Sequence, residues 1–93
     1  MTIPYLPTTP IADLAALVDP NTANHVVWFY RPSLGYRPGS FVEKLIGAIA
    51  NADLTNRAKL SLAFPEYVAA VTAAADYNGG LEELALIARG ERR

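Results

Sequence analysis

Prolines at positions 10, 20, 32, 38 and 65, together with the stop signal Asn78-Gly79-Gly80, divide this chain into short segments. Proline lacks the backbone N–H and clashes with the preceding helical turn, so a straight helix starts at such a residue or ends before it. It is equally unwelcome inside a central strand. Only short elements fit between these positions. Within most segments the apolar residues recur three and four apart, which is the helical period. The expectation is an all-α, compact single domain of four to five short helices over residues 10–90. An extended arm at 1–9 precedes it and a frayed terminus at 91–93 follows.

The starts and stops can be placed individually. Thr9-Pro10 reads as a capping hydroxyl with proline at the first helical position, followed by Ile11, Leu14, Ala15 and Val18 on one face. Asp19-Pro20 repeats the signal and opens a second helix that Pro32 ends. Residues 25–30, His25-Val26-Val27-Trp28-Phe29-Tyr30, are β-branched and aromatic and would also suit a short strand. Such a strand has no evident partner, and a lone edge is a liability, so the helix is the expected state.

Ser40-Phe41-Val42-Glu43 has the form of a capping box. The helix after it places Phe41, Leu45, Ile46 and Ile49 on one stripe beside Val42. Asp53 caps the next helix, with Ala58, Leu62 and Leu60 inward and Arg57 and Lys59 on a solvated face. Pro65 and Glu66 begin another, whose apolar face is Phe64, Tyr67, Val68, Val71 and Ala75. Its remaining alanines permit close approach by a neighbour. The last helix carries Leu81, Leu84, Ala85 and Ala88 inward, and Leu86 falls off that face. Leu86 is thus either a dimer contact or a tolerated surface leucine.

With 52% hydrophobic and 18% charged residues the chain can collapse, which separates it from disordered tails. A net charge of -1 supplies no field that would gather nucleic acid or anionic lipid. The absence of Cys excludes a disulfide framework, a thiolate nucleophile and a Cys-rich zinc site. The beginning of the sequence lacks signal-peptide character, and no apolar run approaches the ~20 residues of a membrane span. A soluble, cytoplasmic protein is expected, with no membrane partner.

Catalytic and cofactor chemistry finds little support. His25 is the single histidine and reads best as an imidazole with a satisfied hydrogen bond. Glu82 and Glu83 are adjacent, and neighbours on a helix point apart. Neither metal-ligand spacing nor a phosphate-loop glycine pattern occurs. The expectation is a protein that is not an enzyme and takes no cofactor or metal.

The densest chemistry lies between Val26 and Phe41, where Tyr-Arg-Pro appears at 30–32 and again at 36–38 beside the single Trp. Trp28, Tyr30, Arg31, Leu34, Tyr36 and Arg37 are the candidate partner-binding residues, because Trp, Tyr and Arg dominate protein-interface hot spots. Proline after each arginine lowers the ordering cost of binding. The competing explanation is structural: Tyr30 and Tyr36 pack on the prolines while the arginines pair with carboxylates. Aromatics with arginines also hold single-stranded nucleic acid. Two arginines on an acidic chain make few phosphate contacts, however. A helix-turn-helix reading of the region from Asp53 to Val71 puts Glu66 where base-reading side chains belong. Nucleic acid is therefore not the expected partner.

From His25 to Arg89 the chain resembles a group of small proteins encoded by actinobacterial phages and their hosts. The resemblance is carried by the run from Trp28 to Phe41, by Asn56-Arg57-Ala58-Lys59-Leu60 and by Phe64-Pro65-Glu66-Tyr67-Val68. It implies an all-helical domain and a phage origin, and it brings no activity or functional residues. By analogy, small phage proteins without catalytic residues often bind and redirect a host protein. The resulting expectation is a non-enzymatic accessory protein that binds a bacterial host factor inside the infected or lysogenic cell and can form homo-oligomers. The alternatives are a small nucleic-acid-binding regulator and a virion or assembly component.

Overall fold

The computed structural model describes residues 10–91, and the expectations for the arm at 1–9 and for Arg92 and Arg93 lie outside them. Six α-helices occur among the described residues, more than the four or five expected. They are α1 (Ile11–Ala15), α2 (Pro20–Tyr30), α3 (Ser40–Asn51), α4 (Leu54–Ala63), α5 (Pro65–Asp76) and α6 (Gly80–Ala88), with a 3-10 turn at Pro32–Leu34. α1 is five residues long, and Asp19-Pro20 separates it from α2 as expected. Residues 25–30 are helical and the strand alternative does not form. The radius of gyration is 11.9 Å, where a folded chain of this length takes about 12 Å.

α5 is the centre of the fold and packs against each of the other five helices. Val68, Ala69, Ala70, Val71, Thr72 and Ala73 are consecutive and all buried, so this helix has no solvent face along its middle. That is the pattern of a helix surrounded by others. Its alanines let the neighbours approach closely, as expected, while Ala75 turns outward. α2 contributes Ala23, Val26 and Val27, α3 contributes Leu45, Ile46 and Ile49, and α6 contributes Leu84 and Ile87. Phe41 stays exposed beyond its stripe, although its ring lies 6.0 Å from that of Phe64.

Proline placement set the helix starts with small offsets. Pro20 and Pro65 occupy the first turns of α2 and α5. Pro10 is instead the extended residue before α1. Asp53 caps α4 through a 2.8 Å bond from the Asn56 amide. The capping box at Ser40 does not form. Gly39 takes the N-cap position, Ser40 is already helical, and the Glu43 carboxylate accepts from Arg37. A guanidinium outcompetes a neutral amide for a carboxylate because the bond is charge-assisted.

α4 is rotated from its expected orientation. Leu62 is 77% exposed, whereas Ala58 and Ser61 are buried and Leu60 is partly so. Arg57, expected in solvent, keeps only 12% of its side chain exposed. Its Nε donates to the Ile49 carbonyl at 3.2 Å, and its Nη1 reaches Thr72 Oγ1 at 3.4 Å and Asp76 Oδ2 at 2.8 Å. The guanidinium thereby joins the end of α3 to α5 across α4. Leucine spacing alone favours turning Leu62 inward, but small Ala58 and Ser61 allow closer helix contact and satisfied donors make Arg57 affordable there.

Two glycines close the chain around α6. Gly79 has φ 77, the left-handed conformation that a side chain disfavours. A Cβ on Gly80 would collide with the Ala73 carbonyl. At the other end the Glu91 amide bonds the Leu86 carbonyl at 2.9 Å, and the Gly90 amide bonds that of Ile87. With Gly90 at φ 75 this is a Schellman closure, which satisfies two of the last carbonyls of α6.

This packing sets the cost of three substitutions. Gly80→Ala should cost about 1–3 kcal/mol in urea unfolding, since backbone must move. Gly79→Ala should cost only about 1 kcal/mol for its backbone conformation. Arg57→Lys should lose about 2 kcal/mol of stability in the same measurement, because an ammonium cannot satisfy the three separated acceptors of the guanidinium fork.

Candidate functional site

The Tyr-Arg-Pro region is shaped by how α2 ends. The Arg31 amide still bonds the Val27 carbonyl, but Arg31 itself leaves helical geometry and Pro32 starts the 3-10 turn. The chain then folds back onto the helix it has left. At Gly35 an added Cβ would strike the Asn24 carbonyl and lie 2.8 Å from the Trp28 amide nitrogen. Glycine is thus required for close approach, and the turn is seated directly on the α2 backbone. Pro38 is buried and Gly39 begins α3, which fixes the far end.

The six candidate residues divide into three environments. Tyr30 turns inward, packs on the core and meets Phe29 edge-on at 5.2 Å. Trp28 and Arg37 form a second group, with the guanidinium carbon 5.7 Å from the indole centroid. Arg37 Nε and Nη2 also donate to Glu43 Oε1 at 3.3 and 3.2 Å. Tyr36, next along the chain, is 61% exposed. Arg31 and Leu34 form a third group with α6. There Arg31 Nη2 lies 3.7 Å from Glu82 Oε2, and Leu34 borders a groove of about 270 Å³ shared with Leu81, Ala85, Leu86 and Arg89.

The structural explanation therefore accounts for part of the motif. Both arginines have carboxylate partners and Tyr30 seals the core. Tyr36 and Leu34 are left over. The sequence did not identify Glu82, Leu81 or Arg89 as neighbours of the motif, since a contact between residues so far apart in the chain has no local signature. Leu86 was the one visible sign, as a leucine displaced from its helix's apolar face.

His25 is held within the fold. Its Nδ1 lies 2.8 Å from the Tyr67 hydroxyl, with the two rings parallel. A second, wider cleft of about 480 Å³ lies beside this pair, where Leu17, Thr22 and Phe64 line the approach to Tyr67. Asp19 and Glu66 also line it. Among the described residues no three His, Cys, Asp or Glu side chains gather as a metal-binding cluster. No helix among them is long and apolar enough to cross a membrane.

Burial raises the Tyr30 phenol above its ordinary 10.0, opposed by the nearby Arg57 charge and reinforced by Asp76. Tyr67 is raised in the same way, with a hydrogen bond to Thr22 opposing and Asp19 and Glu66 adding to the rise. The unfolded chain thus releases these protons first. Stability is intact below pH 10 and falls as pH climbs toward the raised values. In chemical unfolding between pH 9 and 11.5, Tyr30→Phe should flatten part of that decline, whereas an unchanged slope would remove Tyr30 as its source.

No protein-family model matches this chain, and neither the curated proteins nor the solved structures contain a significant match to it.

Proposed function

We propose that this chain is a non-enzymatic accessory protein of phage type that acts by binding another protein, a bacterial host factor, through Trp28, Tyr36 and Arg37. The carrying observation is an exposed Tyr36 beside an arginine already held by an indole face and a carboxylate. Large aromatic area and a guanidinium fixed before the encounter are what make an interface anchor inexpensive in entropy. Gly35 on the α2 backbone and buried Pro38 hold the backbone on either side of Tyr36 and Arg37.

Two features favour protein over nucleic acid as the partner. Arg37 shares its charge with Glu43, which weakens it as a phosphate ligand. Its guanidinium also covers the indole face that a base would need for stacking. The non-enzymatic reading rests on the sequence, in which His25 is the single histidine and neither a nucleophile motif nor metal-ligand spacing occurs. The phage setting rests on the resemblance carried by the motif from Trp28 to Phe41.

The test is differential capture from an actinobacterial lysate. The wild-type chain should retain a specific protein that Tyr36→Ala and Arg37→Ala each release by about 30-fold, the loss of one hot-spot residue. Melting temperatures of both variants should stay within about 2 °C of wild type, as expected for surface changes. Equal retention by both variants, or retention of nucleic acid alone, would overturn the proposal.

A further inference from the structure

We infer that the groove between the 3-10 turn and α6 is a self-association surface, filled by the same groove of a second copy across a two-fold axis. Leu34 projects from the turn with 46% of its surface exposed. Beside it α6 offers Leu81, Ala85 and half-buried Leu86. The Schellman closure after Ala88 satisfies two of the last carbonyls of α6, the helix that forms this apolar floor.

The rim charges identify the occupant. Arg31 and Glu82 sit side by side at 3.7 Å, with 54% and 64% of their side chains exposed. At the other end Arg89 Nε lies 3.3 Å from Glu91 Oε2, again with both side chains about half exposed. Each cation at the groove therefore brings its own anion. An acidic segment laid here would meet Glu82, and a basic one would meet Arg31 and Arg89. A second copy avoids both conflicts, because a two-fold axis can set Arg31 of each chain against Glu82 of the other. The existing pair is long and solvated, so exchanging its partner costs little. Arg57 and Asp76, at 2.8 Å around a side chain with little exposure, form the contrasting kind of pair that cannot exchange.

This contact uses none of the three side chains assigned to the host partner, so the two interactions can fail separately. The groove is small, and an interface at the low end of the size range associates weakly. Light scattering and sedimentation equilibrium of the purified chain should show the average mass rising from one chain toward two between about 1 and 500 µM. Leu34→Asp and Leu86→Glu should each hold the mass at one chain.

The decisive arm is complementation. Arg31→Glu alone and Glu82→Arg alone should be monomeric, since each sets like charges together twice across the axis. Mixed in equal amounts, they place unlike charges at both contacts and should regain the mass of a dimer. Tyr36→Ala should dimerise like wild type, which separates this surface from host binding. A wild-type chain that stays monomeric throughout the range overturns the inference. So does a mixture no heavier than its components, or a lysate protein whose capture depends on Leu34 while the chain itself remains monomeric.

Discussion

A single guanidinium fixes how three helices meet. Arg57 rises from α4, takes the carbonyl at Ile49 near the end of α3, and reaches Thr72 and Asp76 on α5. Apolar packing between alanine-rich surfaces is permissive about rotation, since small side chains interlock weakly. A planar cation that must find three acceptors is not permissive. Burying such a charge is costly unless its donors are satisfied, so only one orientation of α4 is acceptable. That orientation turns Leu62 to solvent and brings Ala58 and Ser61 against the core. Tyr30, at the end of α2, sits within the field of the same Arg57 and Asp76 pair.

The two Tyr-Arg-Pro copies show how identical residues acquire different roles. The first follows the helix out: Tyr30 completes the core, Arg31 pairs with a carboxylate on α6, and Pro32 starts the turn. The second follows the fold-back: Tyr36 is exposed, Arg37 lies over Trp28 and binds Glu43, and Pro38 is buried. Gly35 separates the two environments because it alone can lie on the α2 backbone there. Local sequence repeats, but the tertiary surroundings do not.

Much of the fold was legible because its signals are local. Pro20, Pro65, Asp53 and the glycines after Asn78 act through backbone geometry within one turn, and each lies at or next to a helix boundary. The inward sets of α3 and α6 largely followed from periodicity. The errors share a different cause. Ser40 lost its capping box because Arg37 claimed Glu43, and Arg57 moved inside because its acceptors lie on other helices. Phe41 and Leu62 carried the right spacing and still ended in solvent. Of the site, the aromatic and arginine content was readable, but its division into three environments was not. Partners such as Glu82, far along the chain from Arg31, leave no mark in a local window.

The buried side chain of Asn24 donates both to Pro20 within its own helix and to the Ala88 carbonyl, 64 residues along the chain. α2 and α6 share the most extensive helix pairing in the domain, so early and late segments depend on each other. Closing so long a loop is a slow step, because its entropy is lost before its contacts reward it. During synthesis, α2 cannot complete the bond from Asn24 to the Ala88 carbonyl until α6 has been made. Until then this β-branched and aromatic helix lacks its most extensive neighbour, so the unfinished chain leaves more apolar surface open than the finished domain does.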